Sequence, residues 1–302
     1  MEVTQAKALA MLSLGVGSFI LGMAPAYISQ NARRRHPLLI SCLLCFGGGV
    51  LLSTSLLHIL PEARETLPNY SELMLCIGFF LVYVIDEIVH VFYGTSERRS
   101  GGRYGSGEHT SLLGGTDGEL GRCYGDPQNP MMCHVSHSEP CSRSSSGIIG
   151  LLCALFVHSL LEGLAIGLQK TASKVLLLLA AVASHKYVVA FCLGTELCES
   201  TSGRICMHIV CVLLFSGGSV AGIGIGGALN NVDVIKDSVA IPIMQALAAG
   251  TLLYVTVSEV LPRERARWHE RKRGAGLAQF VAVVFGFGIM YLLTRYLDHD
   301  AQ

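Results

Sequence analysis

The sequence holds little charge. Only 15% of its 302 residues are Asp, Glu, Lys or Arg, and 22 basic and 22 acidic residues leave a formal net charge of zero. No electrostatic case exists for a nucleic-acid partner. The cysteine count of 11 is odd. Cys42, Cys45, Cys76, Cys153, Cys192, Cys206 and Cys211 lie in apolar runs, where a free thiol behaves as a small hydrophobe. No disulfide framework is implied. Cys42 and Cys45 have CxxC spacing, but inside an apolar run beside Gly47-Gly48-Gly49. No basic leader with a small-residue cleavage site opens the chain, so no signal peptide is expected. No His-Glu-x-x-His string occurs, which counts against a zinc hydrolase working within the membrane. The chain is not expected to be an enzyme.

Apolar residues are abundant, at 51% of the chain. They fall in eight stretches, approximately 8–29, 38–60, 73–93, 147–169, 174–195, 205–229, 239–260 and 274–296. Each can cross a hydrocarbon core about 30 Å thick. A bilayer requires every backbone polar group to be satisfied internally, so the stretches are read as helices. The expectation is an all-α membrane protein. Residues 1–93 hold transmembrane helices 1–3 and residues 147–302 hold helices 4–8, in one membrane domain. Between them, 94–146 is Gly- and Ser-rich and reads as a flexible cytosolic loop. Its Cys133-His134-Val135-Ser136-His137 and Cys141 are either a weak soft-metal tract or scattered linker residues.

Basic residues set the orientation. Loops after spans 1, 3, 5 and 7 carry Arg33-Arg34-Arg35, then Arg98, Arg99, Arg103, Arg122 and Arg143, then Arg204, then Arg263, Arg265, Arg267, Arg271, Lys272 and Arg273. The opposite side holds Lys7, Arg64, Lys170, Lys174, Lys236 and Arg295. The positive-inside rule therefore places both termini outside. Gly163 and Gly167, like Gly222 and Gly226, are four apart and permit close helix approach.

Ionisable groups inside such spans are costly and need a reason. His158 and Glu162 stand four apart, on one face of span 4. His185 lies near the middle of span 5. The short connection near 170–174 makes spans 4 and 5 neighbours. Two imidazoles and a carboxylate can hold one divalent metal, and they suit zinc; iron, manganese and cadmium remain alternatives. Lys186 either pairs with Glu162 and takes the place of a second cation, or forms a structural ion pair elsewhere. Span 2 reads His58-Ile59-Leu60-Pro61 at its end, and span 7 reads Glu259-Val260-Leu261-Pro262. The two spans run in opposite directions, as an inverted repeat relating spans 1–3 to 6–8 requires. His58 and Glu259 are read as ligands at the two ends of a pathway, or as polar helix ends at the interface. Asp86, Glu87 and His90 fit a snorkelling or pairing role near the cytosolic end of span 3.

The string His158-Ser159-Leu160-Leu161-Glu162-Gly163-Leu164-Ala165-Ile166-Gly167-Leu168-Gln169 resembles the ZIP (Zrt-, Irt-like protein) family of divalent-metal transporters, solute carrier family 39. His185-Lys186, His58–Pro61 and Ala248-Ala249-Gly250-Thr251 through Pro262 extend the likeness, which is nearest to the subfamily II branch. The resemblance implies eight transmembrane helices in a 3+2+3 arrangement, a metal site between helices 4 and 5, and import toward the cytosol. It implies Zn²⁺ as transported substrate rather than cofactor, with other divalent metals as further partners. The plasma membrane is the expected host, and a homodimer is allowed. Ser159, Lys186 and Ser219 stand where two-metal members carry further ligands, and Val189 replaces a carboxylate. That favours a single-metal site. Met244-Gln245-Ala246 departs from a Glu-Gly pair common in relatives. The expected function is zinc import, with His158, Glu162 and His185 as metal ligands and His58, Ser159, Lys186 and Glu259 along the pathway. A zinc-dependent hydrolase and a cation channel are the alternatives.

Overall fold

The computed structural model describes residues 2–27, 37–93, 145–200, 205–229, 239–268 and 274–301. The expected 94–146 loop, with its Cys and His residues, lies almost wholly outside the described residues. Among the described residues, eight helices are long and apolar enough to cross a membrane. They are α1 (Val3–Tyr27), α2 (Pro37–Ser53, Thr54–Ile59 and Leu60–Thr66 in one run), α3 (Ser71–Tyr93), α4 (Ser145–Gly167), α5 (Ala172–Ser200), α6 (Ile205–Leu229), α7 (Ala240–Tyr254, Val255–Val260 and Leu261–Trp268 in one run) and α8 (Ala275–Ala301). No strand occurs among the described residues. The described cysteines are all free.

Spans 2 and 7 run on past their prolines. They were expected to end at about residues 60 and 260, next to Pro61 and Pro262; a proline lacks the N–H and its ring crowds the carbonyl four residues back. The helices instead continue to Thr66 and Trp268. A π-helical turn precedes each proline, at Thr54–Ile59 and Val255–Val260. The N–H of Leu60 reaches back five residues to the Ser55 carbonyl, and that of Leu261 to the Thr256 carbonyl. The wider turn absorbs the proline without breaking the rod. His58 and Glu259 therefore sit within helices, with a further turn beyond each of them.

Packing divides the bundle. α1 lies along α5 and α6, and α6 lies along α4. α2 lies along α8, and α3 along α7. The closest approaches rest on glycine. A Cβ at Gly163 would strike the Ser219 carbonyl, and one at Gly226 would meet the Gly167 backbone, so α4 and α6 touch through the two Gly-x-x-x-Gly faces. A Cβ at Gly49 would collide with the Val283 carbonyl on α8, and one at Gly250 with the Leu75 carbonyl on α3. The two groups meet chiefly where α4 packs on α7 and α3, and α5 on α2. A buried cluster containing Leu155, Val189, Phe215 and Leu252 fills that junction. Outer faces of α3 and α8 expose Phe80, Val84, Phe92, Phe280, Phe285 and Leu292, as lipid contact requires.

Candidate metal centre

Helix periodicity builds the centre. One turn of α4 separates His158 from Glu162, so both side chains face α5, and His185 meets them from there. Their ligand atoms all lie within 4.8 Å of one another, and all three residues are buried. Glu162 Oε1 is 3.0 Å from His158 Nε2 and 2.7 Å from His185 Nε2.

The outer nitrogens fix the tautomers. His158 Nδ1 lies 3.0 Å from the Ala248 carbonyl and 3.1 Å from Thr251 Oγ1, while the Thr251 hydroxyl donates to the same carbonyl at 2.6 Å. His185 Nδ1 lies 3.2 Å from the Ala181 carbonyl. A carbonyl only accepts, so each Nδ1 carries the hydrogen. Each ring then turns its Nε2 toward Glu162 Oε1, and the 2.7 Å contact from His185 has hydrogen-bond length. Two imidazole nitrogens and a carboxylate oxygen thus converge on one buried point, a donor set that suits a divalent cation. Rings tethered at Nδ1 and offering Nε2 are the usual form of metal-binding histidine.

Lys186 follows His185 on α5 and is almost wholly buried. Its Nζ donates to Ser159 Oγ at 2.8 Å, lies 3.6 Å from Glu162 Oε2, and sits 4.6 Å from the centre of the Phe215 ring. Glu162, its partner in one of the two readings, thus lies beside it, as does Ser159. Ser219 is fully buried on α6, and Val189 is buried one turn after His185.

A small, partly open cavity leads away from the centre and is lined by Glu162, His185, Ala181, His58, Glu62 and Gln245, among others. Those residues come from one half of each helix, so the cavity runs toward a single end of the bundle, where Glu62 is exposed. Gln245 donates to Glu62 Oε1 at 3.1 Å. Sequence reasoning singled out His58 but missed Glu62 and gave Gln245 no role. The signal was available: Glu62 is four residues after His58, one turn on, but lies beyond residue 60, where span 2 was ended. Glu259 is elsewhere. It lies near the other end of α7, where Arg263 binds both Glu259 and, at 3.1 Å, Glu196 of α5. Arg263 is therefore a helix residue with two carboxylate partners, not the loop charge expected.

The sequence matches a family model described as ZIP Zinc transporter over residues 4–294. The chain belongs to the ZIP zinc transporter family. Similar relatives include the zinc transporter ZIP1 of Mus musculus, 29% identical over 93% of this chain and 88% of that one. ZIP1 of Danio rerio is 29% identical over 96% of this chain and 97% of its own. Mouse ZIP2 is 28% identical over 95% and 96%. ZIP membership agrees with the absence of a hydrolase motif: the relatives are named transporters, not enzymes.

Proposed function

We propose that the chain carries Zn²⁺ across a membrane into the cytosol through a single-metal site between α4 and α5, formed by His158, Glu162 and His185. The observation that carries this reading is the convergence of two imidazole nitrogens and a carboxylate oxygen, all buried and within 4.8 Å of one another. Two imidazoles and one carboxylate suit zinc, with room for water to complete a tetrahedron. The names of the ZIP1 and ZIP2 relatives point to the same ion. Lys186 keeps a positive charge beside the ligands, which holds a second metal away and weakens the hold on the first. A carrier must release its ion, and that tempering suits it better than a closed structural site would. His58, with Glu62 and Gln245, receives the ion in the cavity; Glu259 assists its departure at the far end.

Alternating access needs two helix groups that move against one another. The groups are α1, α4, α5 and α6, which hold the ligands, and α2, α3, α7 and α8. Their origin is a 3+2+3 inverted repeat. Supporting it, a shift of 201 residues carries Gly49 to Gly250 and Phe46 to Leu247, while 208 carries Leu75 to Val283 and Gly78 to Gly286. Under those shifts the α2–α8 contacts become the α7–α3 contacts. The basic loops put both termini outside and 94–146 in the cytosol; the host is the plasma membrane.

Radiotracer zinc uptake into proteoliposomes tests the site. His158→Ala, Glu162→Ala and His185→Ala should each cut uptake by at least about tenfold, since even removing a ligand's supporting partner costs about that much. Normal uptake by any two of them, at equal protein incorporation, would sink the assignment.

A further inference from the structure

Resting on the transport reading, we propose that Arg263 is a latch: its bridge to Glu196 holds the two helix groups in the arrangement that opens the metal site to the His58 cavity. Glu196 lies on α5, in the ligand-bearing group, 11 residues beyond His185. Arg263 lies on α7, in the other group, 18 residues beyond the cavity residue Gln245. At about 1.5 Å per residue, the bridge stands roughly 27 Å along α7 from the cavity wall, at the end away from the open cavity. Its ends are only 15% and 11% exposed, so solvent and salt screen it little.

The second partner of Arg263 makes this a device rather than a simple tie. Glu259 is one turn back on Arg263's own helix and binds the same guanidinium. Movement of α5 past α7 must break the bond to Glu196, but Glu259 moves with Arg263 and keeps it. The guanidinium stays charged, partnered and aimed at the place Glu196 leaves. The π turn at Val255–Val260 sets that direction, because an extra residue per turn rephases everything after it. Re-engagement then needs no rotamer search, and the bridge biases the equilibrium without locking it. A second link between the groups, His158 Nδ1–H to the Ala248 carbonyl, lies at the metal site itself. The two links sit at different depths, so a rigid displacement of one group breaks both together.

Removing the latch lowers the fraction of molecules with an open cavity, and apparent affinity from that side falls in proportion. The conformational readout uses the full-length chain in proteoliposomes without zinc. Glu62→Cys provides a thiol at the cavity, and its labelling by an impermeant maleimide is followed at residue 62 by peptide mass spectrometry. Glu196→Gln and Arg263→Gln, each in that background, should slow labelling about 3- to 10-fold. In chains without the reporter they should raise the zinc KM by a similar factor and alter maximal rate less. The exchange Glu196→Arg with Arg263→Glu retains two carboxylates around one guanidinium and should restore labelling and KM. Unchanged labelling in both single variants overturns the latch, as does an exchange variant no better than either single one. Failure of all three to insert would make the bridge purely structural and overturn it equally. Because labelling is read without zinc, it reports the latch even if zinc proved not to be the cargo.

Discussion

His158 on α4 donates its Nδ1–H to the carbonyl of Ala248 on α7, 3.0 Å away. An imidazole carried by one helix group is thereby aimed by backbone from the other. The geometry of the centre depends on how the groups stand.

Thr251 supports that contact, with its oxygen 3.1 Å from His158 Nδ1 and its hydroxyl bound to Ala248. Thr251→Val keeps the shape and leaves the carbonyl as sole partner for the ring. Zinc affinity should weaken by about tenfold or somewhat less, the low end for a lost supporting contact. Isothermal titration of purified protein measures it, and unchanged affinity would show that Thr251 merely fills space.

Lys186 should govern stoichiometry. Lys186→Ala strips Glu162 of its buried counter-charge, a loss of about 3–5 kcal/mol when one partner of a buried pair is removed, so thermal stability and yield should fall. Lys186→Asp supplies a ligand instead. Metal analysis should find one zinc per wild-type chain, rising toward two in Lys186→Asp. Two zinc ions already bound between α4 and α5 in the wild type would refute the single-metal site.

Acid should oppose binding. Both Nε2 atoms must be unprotonated to hold a metal, so protons compete with zinc for them. As the cavity-side pH falls from about 7.5 to about 5.5, the zinc KM should rise, while maximal rate changes less. Uptake that climbs steadily with acidity would contradict the competition and indicate proton coupling.

Orientation has its own check. Epitope tags at either terminus should react with antibody in intact cells, and a tag within 94–146 only after permeabilisation. The reverse pattern overturns the orientation drawn from the arginine-rich loops. Asn69-Tyr70-Ser71 is a glycosylation sequon, but it abuts the start of α3 at Ser71 and should stay unmodified.

How much of this was legible in the sequence follows from what each signal depends on. The helices were legible because twenty apolar residues in a row have one outcome in a bilayer. The His158–Glu162 pair was legible because helical spacing is local. Glu62 and Arg263 were not, since each follows a proline that ordinarily closes a helix, and no residue pattern announces a π turn. Gln245 and Thr251 were quoted in the sequence without a role, because theirs depends on which helix lies opposite. The Gly49 and Gly250 contacts likewise needed the partner helices α8 and α3 before the spacing acquired meaning.

The π turns at Thr54–Ile59 and Val255–Val260 make α2 and α7 intolerant of changes in length. Each holds one residue more than an α-helical turn, which offsets the following segment by roughly 100°. Deleting a single residue there would straighten the coil into a regular helix and swing Glu62 off the cavity wall, or Arg263 off Glu196, without altering any side chain's chemistry. Angular phase, as much as residue identity, is what these two rods have to preserve.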